Sequence, residues 1–133
     1  MRPPMDASRT EYDFAILRVV PHPHLGAFVN VGVVLHARRQ DFLALRVLQD
    51  RASLAARIPD LDTELLRRYL SACVAICAGD ASAGPVALAP SSERFHWITA
   101  PRSDVLQSSP VHEGVCDDPD AELAALYKLY VEA

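Results

Sequence analysis

Apolar positions fall into two kinds of period along this chain. Three N-terminal runs carry the two-residue alternation and the β-branched and aromatic residues of strands: 11–20 (EYDFAILRVV), 28–37 (FVNVGVVLHA) and 42–48 (FLALRVL). Residues 94–100 (RFHWITA) and 105–108 predict a fourth and a fifth strand, and 86–88 a short edge piece. Helical spacing takes over elsewhere. Residues 50–58 predict a short helix ending before Pro59, and TELLRRYLSACVAICA a longer one, capped by Asp60 or Asp62 and stopped at Gly79. Asp118 and Pro119 open a last helix, in which Leu123, Leu126, Tyr127, Tyr130 and Val131 follow the i, i+3, i+4 rule. The order is βββααββα. It predicts an α+β fold: a largely antiparallel sheet of about five strands with helices packed on one face. Residues 1–10 read as a flexible leader and 11–133 as a single domain.

Alternation also sorts side chains between the sheet's faces. Val29, Val31, Val33 and Leu35, with Leu43, Leu45 and Val47, are uniformly apolar and are expected beneath the helices. The opposite face carries Phe28, Asn30, Gly32, Val34 and His36, then Phe42, Ala44, Arg46 and Leu48. Arg18 shares parity with Tyr12, Phe14 and Ile16, and Arg94 and His96 share parity with Ile98. This second face is half apolar and half polar. It suits a partner surface, a shallow anion site or a homodimer formed through the sheet. Gly32, mid-strand, marks a bulge or a close backbone approach.

Composition narrows the classes. The 133 residues carry a net charge of −4, against the basic footprint that nucleic-acid binding requires. No apolar run nears the roughly 20 residues of a membrane span, and the N-terminus lacks an export signal, so a cytoplasmic protein is expected. Three cysteines, an odd number, do not suggest a disulfide framework.

Donors and imidazoles are densest between residues 94 and 119. Arg94, His96, Arg102, Ser103, His112 and Asp117 stand there among few apolar anchors. Two arginines suit a phosphate or carboxylate, and histidine moves protons near neutral pH. The same crowding also arises when arginines pair with Glu93, Asp104 or Asp117 to pin a loop, and the sequence leaves both readings open. No nucleophile elbow, phosphate loop or zincin spacing occurs, so no catalytic residue is assigned. Cys73 and Cys77 share a helix face with Leu61, Leu65 and Tyr69 and read as buried core thiols. His22 and His24 read as a solvated loop. No metal or cofactor is predicted.

Three blocks resemble a known family: YDFAILRVVP at 12–21, FVNVGVVL at 28–35 and RFHWITAPRSDVLQSSPVHEGVCDDP at 94–119. They are similar to the bacterial family of unknown function DUF3037, over nearly the whole chain. The PHPHLGA loop that opens at 21 departs from the charged residues expected before the second block. The family's signature positions correspond to Arg18, Asn30, Gly32, Arg94, Trp97, Arg102, Ser103, His112 and Gly114, without assigned roles. The resemblance implies a small accessory or binding module. Its protein partner would be a toxin-like serine/threonine kinase encoded nearby. The alternative is an enzyme or binder of a phosphorylated or nucleotide-like small molecule. The binding candidates are therefore Arg18, Asn30, Arg94, His96, Arg102, Ser103, His112 and Asp117.

Overall fold

The computed structural model describes residues 9–100 and 105–132. Arg102 and Ser103, and most of the N-terminal leader, lie outside the described residues. The strands are β1 (Thr10–Val19), β2 (Val29–Ala37), β3 (Phe42–Val47), β4 (Leu106–Ser108) and β5 (His112–Cys116). The helices are α1 (Arg51–Arg57), α2 (Thr63–Ala78), α3 (Ser91–Thr99) and α4 (Pro119–Tyr127), the last running into a π-helical turn at Lys128–Glu132. The sheet is antiparallel, in the order β3-β2-β1, and both β4 and β5 pair with the remaining edge of β1. This is the α+β class that the periodicity predicts.

Caps fall where the sequence places them. Asp62 accepts from Leu65 N at the start of α2, and Asp118 accepts from Asp120 N at the start of α4. Gly79 ends α2 with a φ of 75°, the left-handed conformation that glycine adopts without strain.

One expected strand is a helix. Residues 94–100 belong to α3, not to the sheet. Phe, Trp, Ile and Thr give the segment a β-like composition, but its buried members are Ser91, Phe95 and Ile98, spaced four and three apart. Arg94 and His96 therefore do not share a sheet face with Arg18. The strand count survives because β5 goes unseen in the sequence: HEGVC has a glycine at its centre and mostly exposed side chains. Residues 85–88 form a 3-10 turn rather than an edge strand.

The layering also differs from the prediction. Helices cover both faces of the sheet. Ala15, Leu17, Val34, Leu43, Leu45 and Val47 pack with Leu54, Leu70, Ile76 and Phe95 of α1, α2 and α3. Tyr12, Phe14, Ile16, Val33 and Leu35 pack with Leu123, Tyr127 and Val131 of α4 and the turn after it. The parity assignment paired Val33 and Leu35 with Leu43 and Leu45, yet Val34 is the cross-strand neighbour of Leu45, and His36 of Leu43. A bulge explains why Val31 nevertheless sits with the α2 side. Leu17 faces Gly32 but Arg18 faces Asn30, so Val31 is the extra residue and the facing reverses there. Gly32 is where β3 comes close: a Cβ on it would lie 3.1 Å from Arg46 O and 3.0 Å from Val47 Cγ1.

No helix among the described residues is long and apolar enough to cross a membrane.

Candidate functional site

The predicted residues part company. Arg94, on α3, is a structural pin. Its Nε donates to Ala89 O at 2.8 Å, and its Nη1 to Cys77 O at 2.6 Å and Ile76 O at 3.3 Å. The last two are carbonyls of the final turn of α2, where a cation is also favoured by the helix dipole. The pin is thus made to backbone oxygens, not to the carboxylates the sequence offered. His96, two residues on, is exposed on α3. Asp117 is exposed in the bend between β5 and α4.

Arg18, Asn30 and His112 do come together on one face, the face covered by α4. Arg18 and Asn30 are cross-strand partners just past the bulge. His112 is the partner of Phe14 on the other side of β1. Four residues of strand separate Phe14 from Arg18, about 13 Å. The turn after α4 bridges that distance. Tyr130 places its ring 6.1 Å from that of Phe14, and its carbonyl accepts from Asn30 Nδ2 at 3.0 Å. The His112 ring lies 5.3 Å from Phe14 on the same side. Beyond Asn30, the Arg18 guanidinium carbon sits 4.4 Å above the Phe28 ring, which is 50% exposed.

The result is a polar and aromatic patch: Arg18 on Phe28, then Asn30, Tyr130 and His112. No ion pair among the described residues involves Arg18, and no hydrogen bond among them involves its guanidinium or the His112 ring. The patch can therefore offer guanidinium and imidazole donors beside exposed ring faces. Phe28 and Tyr130 are the members that sequence reasoning missed. Phe28 stands two positions from Asn30, and that neighbourhood was the available signal. Tyr130 fits the helical repeat of α4 so well that it reads as core, but it lies in the π-helical turn and is 38% exposed.

The face is held by pieces the sequence gives little hint of. The Tyr12 hydroxyl donates to Glu122 on α4, and burial together with that carboxylate raises the phenol's pKa. Gly114 is the cross-strand partner of Tyr12, and the ring lies directly over it. Between β4 and β5, Pro110 cannot serve as a backbone donor. Ser109 keeps the edge joined: its amide donates to Ile16 O at 2.8 Å and its Oγ accepts from Ile16 N at 2.9 Å.

Cys73 and Cys77 are buried among the side chains of the α2 layer, and burial pushes the Cys77 thiol up to about 12. His22 lies 3.1 Å from Asp60 Oδ2 across an exposed loop contact. Among the described residues no group of three or more His, Cys, Asp or Glu side chains could hold a metal ion.

No curated protein and no solved structure matches this chain. A family model does, the one described as a protein of unknown function, DUF3037, over residues 14–131. The match runs from the middle of β1 to the turn after α4, and the chain belongs to the DUF3037 family.

Proposed function

We propose that this protein is a small binding module and that the patch of Arg18, Phe28, Asn30, His112 and Tyr130 is where a protein partner docks. One observation carries the reading: Arg18 is stacked on a half-exposed phenylalanine and has no carboxylate partner among the described residues. Arginine and aromatic rings dominate the binding energy of protein interfaces. Stacking on Phe28 holds the guanidinium in place, so less side-chain freedom is lost on binding, and its fork remains open to a partner's carboxylate or phosphate. A homodimer through the rest of this face would have to displace α4. The serine/threonine kinase that the family resemblance implies is the first partner to try. A phosphorylated small molecule is the second reading, but Arg94, one of the two arginines that reading relies on, is engaged by the carbonyls of Ile76, Cys77 and Ala89.

The test is co-purification under mild salt from a native extract, with wild type, Arg18→Glu and Phe28→Ala run in parallel. A stoichiometric partner retained by wild type and lost by both variants, with melting temperatures unchanged, supports the reading. A partner retained equally by all three, or none retained by wild type, refutes it.

A further inference from the structure

A second concavity lies at the opposite end of β1 and on the opposite face. It is a cleft of about 590 Å³ lined by Glu11, Asp13, His36, Arg38, Arg39 and Glu113, with Tyr12, Gly114 and Val115 completing it. Such a volume suits a small ligand. Its floor is a row across three strands. Glu113 on β5 pairs with Asp13 on β1, and Asp13 pairs with His36 on β2.

Side chains directly opposite one another in an antiparallel pair have Cβ atoms about 5 Å apart and share a face. Asp13 and Glu113 therefore set two carboxylates side by side, an arrangement that destabilises a sheet. No ion pair among the described residues reaches Glu11, Asp13, Glu113, Arg38 or Arg39, although both signs of charge line the same cleft. His36 does not help either. It is only 3% exposed, and burial lowers its pKa, so at neutral pH the ring is uncharged. Its Nε2 lies 3.1 Å from Ser91 Oγ, its ring stacks on Phe95, and no partner for the other ring nitrogen occurs among the described residues. A local rule broken without compensation points to a requirement imposed from outside the fold.

We infer that this cleft binds a small zwitterion of the amino-acid type, with its ammonium group on Asp13 and Glu113 and its carboxylate on Arg38 and Arg39. Two adjacent carboxylates with a neutral imidazole beside them form an acceptor set for an ammonium group, whose three donors they can satisfy together. The two arginines, in the turn that follows β2, supply forked donors for the anionic end. A ligand carrying only one charge would leave one wall unanswered. The surface is distinct from the Arg18 patch, so either can fail without the other.

Amide NMR spectra of the whole chain test the inference. The probes are the free L-amino acids, tried one at a time at millimolar concentration, each alongside its N-acetyl and methyl ester derivatives. At least one free amino acid should move the Tyr12, Asp13, Glu113 and Gly114 amides, and blocking either end should weaken it by about tenfold or more. Glu113→Gln should weaken binding to the same degree. Because it removes a like-charge contact, it should also melt above the ligand-free wild type. The inference is overturned if no free amino acid moves those amides, if blocked and free forms bind alike, or if Glu113→Gln melts below wild type.

Discussion

Replacing Gly114 by alanine tests how the α4 layer is held to the sheet. An ideal Cβ at this position would fall less than 3.0 Å from Cζ, Oη and Cε1 of Tyr12. Ordinary carbon contacts are about 3.5–4.0 Å, so the ring must withdraw by more than half an ångström. Tyr12 is 7% exposed and has little room to do so. Overpacking of this kind costs about 1–3 kcal/mol. Movement of the ring also breaks the Tyr12–Glu122 hydrogen bond, and bonds to charged groups contribute about 1.5–3 kcal/mol. Gly114 does not have a positive φ, so alanine is free of backbone strain and recovers about 0.4–1 kcal/mol by restricting the unfolded chain.

The net loss is then about 1.5–5.5 kcal/mol, or a fall in melting temperature on the order of 10 °C. A cycle with Tyr12→Ala isolates the cause, because without the ring there is nothing to strike. In that background Gly114→Ala should stabilise the protein by about 0.4–1 kcal/mol, the unfolded-chain gain alone. Urea unfolding of the four proteins measures all the terms. An equal loss with and without Tyr12, or no loss in the wild-type background, would refute the proposed contact.

Other outcomes follow from the same geometry. Arg94→Ala should lower the melting temperature by removing the donors to the last carbonyls of α2 and to Ala89 O, while leaving partner capture at the Arg18 patch intact in the folded fraction; retention of full stability would show that the pin does not stabilise the fold. Ser109→Ala leaves the Ile16 amide without its acceptor and should cost about 1–3 kcal/mol by denaturant titration. His36 has a folded pKa below its unfolded value, so the unfolded chain binds the extra proton. Stability should therefore fall as pH drops below about 6.5, and His36→Gln should flatten that part of a melting-temperature profile.

Legibility in the sequence tracked how local the determining physics is. The caps at Gly79 and Asp118 depend on residues within one turn and read correctly, and the structure selects Asp62 over Asp60 at the start of α2. The first three strands are long enough for alternation to show. α3 failed because nine residues with Phe, Trp, Ile and Thr fit either period, and only packing against α2 and β2 decides between them. β5 failed for the converse reason: its pairing to β1 rests on backbone bonds and a glycine under Tyr12, which leave no apolar pattern. Face assignment went astray at a single bulged residue, Val31, because one extra residue reverses every side chain beyond it. The candidate residues inherited these errors. Arg18 and Asn30 were placed on one face from strand parity alone. His112 was placed only within a loop, and joining it to them required β5.

The two candidate surfaces have a common origin in the length of β1. Ten residues of strand extend about 33 Å, whereas a nine-residue helix such as α3 or α4 covers about 14 Å. No single short helix therefore spans a face: α4 packs on one, and α1, α2 and α3 share the other. On the α3 side, cover stops near His36, and Glu11 and Asp13 are left to form the cleft. On the α4 side, cover begins at Tyr12, where Glu122 anchors the helix, and gives out past Tyr130, where Arg18 and Phe28 remain open. The bulge at Val31 lies beside this second end and sets Asn30 across from Arg18 on the open face. The outer edge of β1 is closed by two short strands, not one long one, with Ser109 bonding across the break, so His112 and Glu113 emerge on opposite faces from adjacent positions of β5. One strand thus serves both surfaces: His112 on the Arg18 side and Glu113 on the cleft side. A substitution that unpairs β5 should weaken binding at both, whereas Arg18→Glu should leave the cleft unchanged and Glu113→Gln should leave the patch unchanged.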